Sequence, residues 1–451
     1  MRVLIGGEDG LAVRLAEALM AEHEVILLAP ESVRGPGFDK LDVEIRWGSC
    51  SSSTTLESVN IAQVDFFIAC TPVDERNLVA CAAAKRLGAK SVICFLRRHD
   101  VQSSEKEAAK LAHSLGIDQV ILPAERLAQE ILRIVMVPGA LDVEAFVGGR
   151  VRLVKKEVAE GSFIASAPLR EIGVPKGVVL VLCQRDEEQF IPKGDTHFRP
   201  GDRITAIGNL KGINRMLAKY LRDPKGSDPR RATIVGGGVV GTAVANGLHA
   251  AGWSTKIIES SRKRAEQIAQ TVGGLVLHGD GTDLELLESE QIGSEPVLIA
   301  VTSNDEVNLL VSLLAKQEGV PRIVTRADRA TNERLFEKVG IDVVRSAQGA
   351  AIGSVCRRIN RSSQELIAEL EHGDLKVLRL SVAEDFMPTP LHEMRAPVFA
   401  IVGAILRGDS IIIPQGRDEI RPNDALLVLC TAEAEEETRN FFHNFTRQPD
   451  A

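Results

Sequence analysis

Long apolar runs are missing from this chain of 451 residues: no stretch of about 18 apolar residues occurs that could span a bilayer, so the chain is not expected to be integral to a membrane. An excess of basic residues is missing too. The formal net charge is −8 and the pI is near 5.7, which argues against nucleic acid as the main partner, because phosphate backbones require a concentrated basic surface. The seven cysteines, Cys50, Cys70, Cys81, Cys94, Cys183, Cys356 and Cys430, show no C-x-x-C spacing, so neither a zinc site nor a disulfide framework is suggested and most read as small core residues. His249 and His278 lack companions at ligand spacing, and no metal site is expected. No H-E-x-x-H run and no Ser/His/Asp order is present, so no catalytic residue is assigned. The start, Met1-Arg2-Val3-Leu4-Ile5-Gly6-Gly7, enters a strand pattern with no basic segment and cleavable apolar stretch before it. A cytoplasmic location is the expectation.

What the chain does have is a globular composition, 44% hydrophobic and 26% charged, at a length that calls for several domains of about 100–200 residues each. It also says nearly the same thing twice: Ile68-Ala69-Cys70-Thr71-Pro72-Val73-Asp74-Glu75-Arg76-Asn77-Leu78 returns as Ile299-Ala300-Val301-Thr302-Ser303-Asn304-Asp305-Glu306-Val307-Asn308-Leu309. Strand-like runs near residues 2–5, 24–28, 66–70, 91–95 and 119–122 alternate with helical patterns, and the order recurs near 232–235, 255–258, 297–301, 322–325 and 342–344. Such alternation predicts an α/β fold with two Rossmann-like, doubly wound parallel sheets. Each is followed by a shorter segment. Ile191-Pro192-Lys193-Gly194 with Arg199-Pro200-Gly201-Asp202 matches Ile413-Pro414-Gln415-Gly416 with Arg421-Pro422-Asn423-Asp424, and both segments read as small α+β lobes with tight turns. A polar, breaker-rich linker is expected from Leu221 to Pro229. The predicted division is 1–135, 136–225, 226–362 and 363–451.

In the second Rossmann unit Gly236, Gly238 and Gly241 stand in G-x-G-x-x-G register between a strand and a helix. Gly236 permits the tight turn, Gly238 lets the backbone approach a pyrophosphate, and Gly241 allows close packing of helix on strand. The amides around Val239 and Val240 then face the anion, aided by the helix dipole. Glu259 ends the next strand, where a carboxylate accepts from adenosine ribose hydroxyls and repels a 2′-phosphate. NAD(H) or an adenine nucleotide such as ATP or ADP is favoured over NADP(H). Asp280, in the turn Gly279-Asp280-Gly281-Thr282-Asp283, is expected to touch the nucleoside while forming a turn. A metal or acid–base pair of Asp280 with Asp283 is the weaker alternative.

The first unit is degraded. Gly7, Asp9 and Ala12 align on the three glycines, Ala29 replaces Glu259, and Ser49 replaces Asp280. At ~4 Å from a phosphate charge, Asp9 would be repelled by on the order of 4 kcal/mol at an effective dielectric near 20. Helix-end attraction of at most about 2 kcal/mol does not offset that. A gap in the alignment would instead bring Gly10 into the turn. The first unit therefore reads as a scaffold, or as a site for some other ligand.

With these residues in view, the chain resembles the Trk-type potassium-uptake regulatory proteins, the TrkA family, built from tandem RCK units of one nucleotide-binding lobe (RCK-N) and one C-terminal lobe (RCK-C). The resemblance spans essentially the whole chain. It rests on the four-part order and on the 279–283 and 302–308 signatures. It implies that Thr302 and Asn304 lie near the nucleotide and that Arg326 sits at a strand end toward phosphate. Phe95 stands where Arg326 would repeat. It also implies a homotetrameric ring lying peripherally on the inner face of the cell membrane, gating a TrkH-like potassium-transport subunit as NADH, NAD, ATP or ADP exchange.

Two constellations carry a second reading. Asn304, Asp305 and Glu306 suit a helix cap before Val307 as well as a nucleotide contact. Arg357, Arg358 and Arg361 suit a solvated helix face as well as a docking site for a partner or anion. The competing function is an NAD-dependent oxidoreductase with a duplicated Rossmann domain. That chemistry needs an acid or base beside the nicotinamide, and the short lobe after the intact unit offers no clear His/Lys/Tyr set; the whole chain has one tyrosine.

Overall fold

The computed structural model describes residues 1–33, 38, 41–97, 110, 112–186, 188–222, 230–360, 366–370, 375–384, 386–394, 397 and 399–446. The first sheet contains β1 (Arg2–Gly6), β2 (Glu24–Ala29), β3 (Glu44–Trp47), β4 (Phe66–Ala69), β5 (Ser91–Phe95) and β6 (Gln119–Ile121). Their order is β3-β2-β1-β4-β5-β6 and every pairing is parallel. An antiparallel sheet follows, of β7 (Ala140–Phe146), β8 (Val151–Glu157), β9 (Val178–Arg185), β10 (Glu188–Phe190) and β11 (Arg203–Asn209), ordered β10-β9-β11-β8-β7. The second half repeats both. β12 (Arg231–Val235), β13 (Ser254–Glu259), β14 (Leu275–His278), β15 (Leu298–Ala300), β16 (Ile323–Arg326) and β17 (Val343–Arg345) take the order β14-β13-β12-β15-β16-β17. Last come β18 (Leu366–Leu370), β19 (Leu375–Ser381), β20 (Thr389–Pro390), β21 (Ala400–Arg407), β22 (Ser410–Ile412), β23 (Glu419–Ile420) and β24 (Ala425–Thr431); the main sheet runs β18-β19-β24-β21-β22, with β20 paired to β23.

The predicted α/β class with two Rossmann-like sheets is therefore present. Strands central to a parallel sheet are covered on both faces, so they read as unbroken apolar runs; Val3, Leu4 and Ile5 of β1 and Phe67, Ile68 and Ala69 of β4 are fully buried. The edge strands β3 and β14, which the apolar runs did not reveal, are half open to solvent. β3 alternates exposed and half-buried residues, and Leu275 of β14 is 53% exposed. In both sheets the strand order reverses beside β1 or β12, and the crevice outside the carboxyl ends there is where ligands bind in open α/β sheets.

The chain groups into two compact units: Met1–Ile131 with Ala232–Ile359, and Leu132–Arg231 with Asn360–Ala451. In the first unit, helix Ala347–Asn360, which follows the last strand of the second sheet, contributes Ala351, Ile352, Val355 and Ile359 to the core over β1, β2 and β5 of the first sheet. Arg14 donates to Gln348 at 3.4 Å and pairs with Glu333 at 3.7 Å. In the second unit the two small sheets share a core, with Phe146, Leu153, Leu182 and Ile207 against Val377, Ala404, Leu427 and Leu429.

The repeated Arg-Pro-x-Asp turns explain themselves here. Arg185 forks onto Asp202 at 2.7 and 2.6 Å, and Arg407 forks onto Asp424 at 2.8 and 2.8 Å. Each aspartate also accepts the amide of its turn arginine at 2.8 Å. Burial pushes the Asp202 carboxyl up, but the Arg185 and Arg199 bonds outweigh it and hold the group below its ordinary range. Of the expected linker, Leu221 is instead buried in the first small lobe's core, and residues 223–229 lie outside the described residues. Among the described residues no helix is long and apolar enough to cross a membrane.

Candidate functional site

The glycine turn after β12 has the geometry its spacing predicts. Gly236 sits at φ +107°, and a Cβ there would lie 3.0 Å from the Thr302 amide. A Cβ on Gly241 would overlap the Gly236 carbonyl oxygen, so this position accepts no side chain. Gly238 caps helix Val239–Ala250 with no side chain, and a Cβ added to it would meet one atom, Nη1 of Arg264, at 3.9 Å. Its outer face is therefore open. The Thr242 amide donates to the Gly238 carbonyl at 3.0 Å, so the amides of Val239, Val240 and Gly241 precede the first intrahelical bond and remain the donors of a helix N-terminus. Val240 turns its side chain into the core.

Glu259 ends β13 beneath this turn, 6% exposed. Oε2 accepts the Gly237 amide and Oε1 the Ser261 amide, each at 2.8 Å. A carboxylate oxygen has two lone pairs, so each keeps one after bracing the turn. Asp280 accepts the Thr282 amide at 2.9 Å and its hydroxyl at 2.8 Å, and these two bonds hold its carboxyl below the ordinary value. Asp283 caps helix Leu284–Ser289. The two carboxylates thus form the turn and cap bonds that the simpler expectation included.

On the opposite rim Thr302 and Asn308 form one network. Asn308 Oδ1 accepts the Thr302 amide at 2.9 Å and hydroxyl at 2.7 Å, while its Nδ2 donates to the carbonyls of Thr302 and Arg326. This side chain ties the ends of β15 and β16 together, a role the spacing did not reveal. Asn304 caps helix Asp305–Gln317 by accepting the Val307 amide at 3.0 Å. The helix thus begins two residues before Val307. Asp305 is buried and accepts from the amides of Asp328 and Arg329 and from Asn332 Nδ2. Arg326 stands at the end of β16, where its guanidinium forks onto Asp328 at 3.0 and 2.6 Å.

The first lobe has the same braces and a different mouth. Asn77 repeats the Asn308 network on Thr71 and the Phe95 carbonyl, with bonds of 2.7 to 2.9 Å. Ser49 accepts the Ser51 amide where Asp280 accepts that of Thr282, and Ser52 caps the following helix as Asp283 does. Asp9 caps helix Gly10–Leu19, as Gly238 caps its counterpart, which supports the ungapped alignment of the two turns. Its carboxylate accepts the Leu11 amide at 3.1 Å and pairs with Arg97. Glu8 pairs with Arg76 at 2.6 Å on the same rim. Phe95 is fully buried. Burial pushes the Cys50 thiol up to about 11 and raises Cys70 further, which keeps both protonated and unreactive. Arg357 and Arg358 occupy the last turn of their helix, where positive charge complements the dipole; Arg361 lies outside the described residues.

Two lobes of Rossmann order, each followed by an antiparallel α+β lobe, define a tandem Rossmann-type protein whose second lobe has the G-x-G-x-x-G turn. The TrkA-N domain family matches residues 3–123 and 232–347, and the TrkA-C domain family matches 153–221 and 390–443. A Trk system potassium uptake protein TrkA homolog of Archaeoglobus fulgidus is 33% identical over 443 residues, covering 98% of this chain and 100% of the relative. The Trk system potassium uptake protein TrkA of Haemophilus influenzae is 28% identical over 439 residues, 95% of each chain. The chain belongs to the TrkA family of Trk potassium-uptake proteins. Among solved structures, the GsuK RCK domain superposes with a TM-score of 0.60 at 18% identity, covering 98% of this chain and 95% of that one. The GsuK channel bound to NAD does so at 0.61 and 17%, covering 98% and 79%. These two likenesses show the fold.

Proposed function

We propose that this chain is the nucleotide-binding regulatory subunit of a Trk-type potassium-uptake system, gating a TrkH-like membrane subunit as NAD(H), ATP or ADP exchange at the second Rossmann lobe. The observation that carries this is the open face of Gly238 at the helix N-cap, flanked by the amides of Val239, Val240 and Gly241, where the first lobe has the carboxylate of Asp9. The residues fit an adenosine-containing anion: Glu259 keeps lone pairs for ribose hydroxyls, Asp280 and Thr302 border the crevice, Asn304 caps the helix beside it, and Arg326 supplies charge once released from Asp328. The nucleotide is held and not consumed. The protein acts as a homotetramer in the cytoplasm, peripheral on the inner face of the membrane through its partner, with lobes divided at 135/136, 225/226 and 362/363.

The energetics are within reach. Moving a two-state equilibrium from 1:99 to 99:1 takes about 5.5 kcal/mol, and four sites each discriminating by about 1.4 kcal/mol supply it. Calorimetric titration of the wild type and of Gly238→Asp with NADH, NAD, ATP and ADP tests the site: one equivalent per chain is expected for the wild type and none for the variant. Nucleotides that bind yet leave ion flux through the reconstituted partner unchanged would refute gating.

A further inference from the structure

The guanidinium that spacing placed near phosphate, Arg326, is already forked onto Asp328. A second one lies closer to the cradle. Arg264 belongs to helix Arg262–Ile268, which starts three residues after Glu259, and its Nη1 is the one atom within 4 Å of where a Gly238 Cβ would stand. The helix is tied to the turn in sequence: Glu259 accepts the Ser261 amide at 2.8 Å, and the Ser261 hydroxyl accepts the Arg264 amide at 3.4 Å. Its neighbour Arg262 is occupied by Glu266 at 3.0 Å. Arg264 forms no ion pair with any described residue.

Arg264 is exposed, and the Glu259 carboxylate braces the same turn through the Gly237 amide. The N-terminus of helix Val239–Ala250 carries about half a positive charge, which repels a cation and attracts an anion. The second glycine of the G-x-G-x-x-G turn is also the point where backbone approaches pyrophosphate. With Glu259 engaged by the Gly237 and Ser261 amides, an anion between the guanidinium and the helix end would be attracted by both. We infer that Arg264 is the phosphate clamp of this site, closing on the pyrophosphate of an adenine nucleotide from the side opposite the helix amides. Planar, permanently charged and forked, it suits bidentate contact with phosphate oxygens.

The inference rests on the nucleotide reading above, and the experiment separates the two. Wild type, Arg264→Gln, Arg264→Lys and, as a control, Arg262→Gln are titrated in full-length form with ADP, NADH, NADPH and adenosine at two salt concentrations, with thermal melts alongside. Charged hydrogen bonds of this kind correspond to a loss of about 10- to 100-fold. That loss is expected for ADP and NADH in Arg264→Gln, with partial recovery in Arg264→Lys, a shallower salt dependence, unchanged adenosine binding, an unchanged melt and no effect in Arg262→Gln. If the wild type binds none of the ligands, both the nucleotide reading and the clamp fall. If the wild type binds ADP and NADH but Arg264→Gln binds them equally well, the clamp alone falls. Loss confined to NADPH would move Arg264 to a 2′-phosphate and overturn the pyrophosphate assignment, as would equal loss of adenosine.

Discussion

The two Rossmann lobes share a scaffold and differ at the mouth. Both have the 3-2-1-4-5-6 strand order, an asparagine tying the fourth and fifth strands, a side chain accepting from the turn after the third, and a capped helix beyond it. In the first lobe the helix N-terminus holds a carboxylate of the chain itself, Asp9, facing Arg97. In the second it holds a glycine, and the facing pair Arg326–Asp328 is complete without it. Duplication has thus kept what the backbone needs, because a lost brace strands buried polar groups in either copy. On the proposed function, what a ligand needs was kept once. An intrachain anion, Asp9, occupies the first helix end.

Two pairs of substitutions and one titration press on this contrast, in falling order of expected effect. Gly241→Ala drives a Cβ into the Gly236 carbonyl and should cost about 3 kcal/mol by overpacking, whereas Ala12→Gly at the matching position should cost about 0.5–1 kcal/mol through helix entropy. Urea titrations of the two variants would show it, and equal losses would mean the turns are packed alike. Asn308→Ala and Asn77→Ala should each lose about 2 kcal/mol, since they leave part-buried and buried backbone groups, respectively, unpaired. Only Asn308→Ala should also weaken nucleotide binding, as titration of both would reveal.

The smallest effect is with pH. The Asp280 carboxyl is lowered by its Thr282 bonds, so its contribution is complete above the unfolded value near 3.9 and is lost as pH falls through the depressed folded value. Ser49 has no such dependence. Following the Thr282 and Ser51 amide resonances through an acid titration should move the former and leave the latter. Parallel movement would show that Asp280 is not the group responsible.

Much of this was written in local pattern. Alternating apolar runs, the G-x-G-x-x-G spacing and the two Arg-Pro-x-Asp turns need only neighbours in sequence, and the sheets, the open turn and the buried Asp202 and Asp424 forks follow them. The remainder depends on partners far apart. Asn308 reads as an ordinary helix residue until its amide is seen between two strand ends. Arg264 is one of three cations in Arg262-Lys263-Arg264, and nothing local says which one faces Gly238. The edge strands β3 and β14 were missed because half-solvated strands lack the continuous hydrophobicity of central ones. The shared core of the small lobes joins Ile207 to Leu429 across more than two hundred residues, beyond any periodicity.

Helix Ala347–Asn360 fills part of the core over β1, β2 and β5 with Ala351, Val355 and Ile359. On the ribosome, the sheet built by the first 121 residues must therefore wait for this plug. At about 5–20 residues per second the interval is roughly 10–50 s, during which part of an apolar face is left uncovered. Chaperone dependence of the nascent chain should concentrate in that window, and the earliest-made lobe is the one finished late.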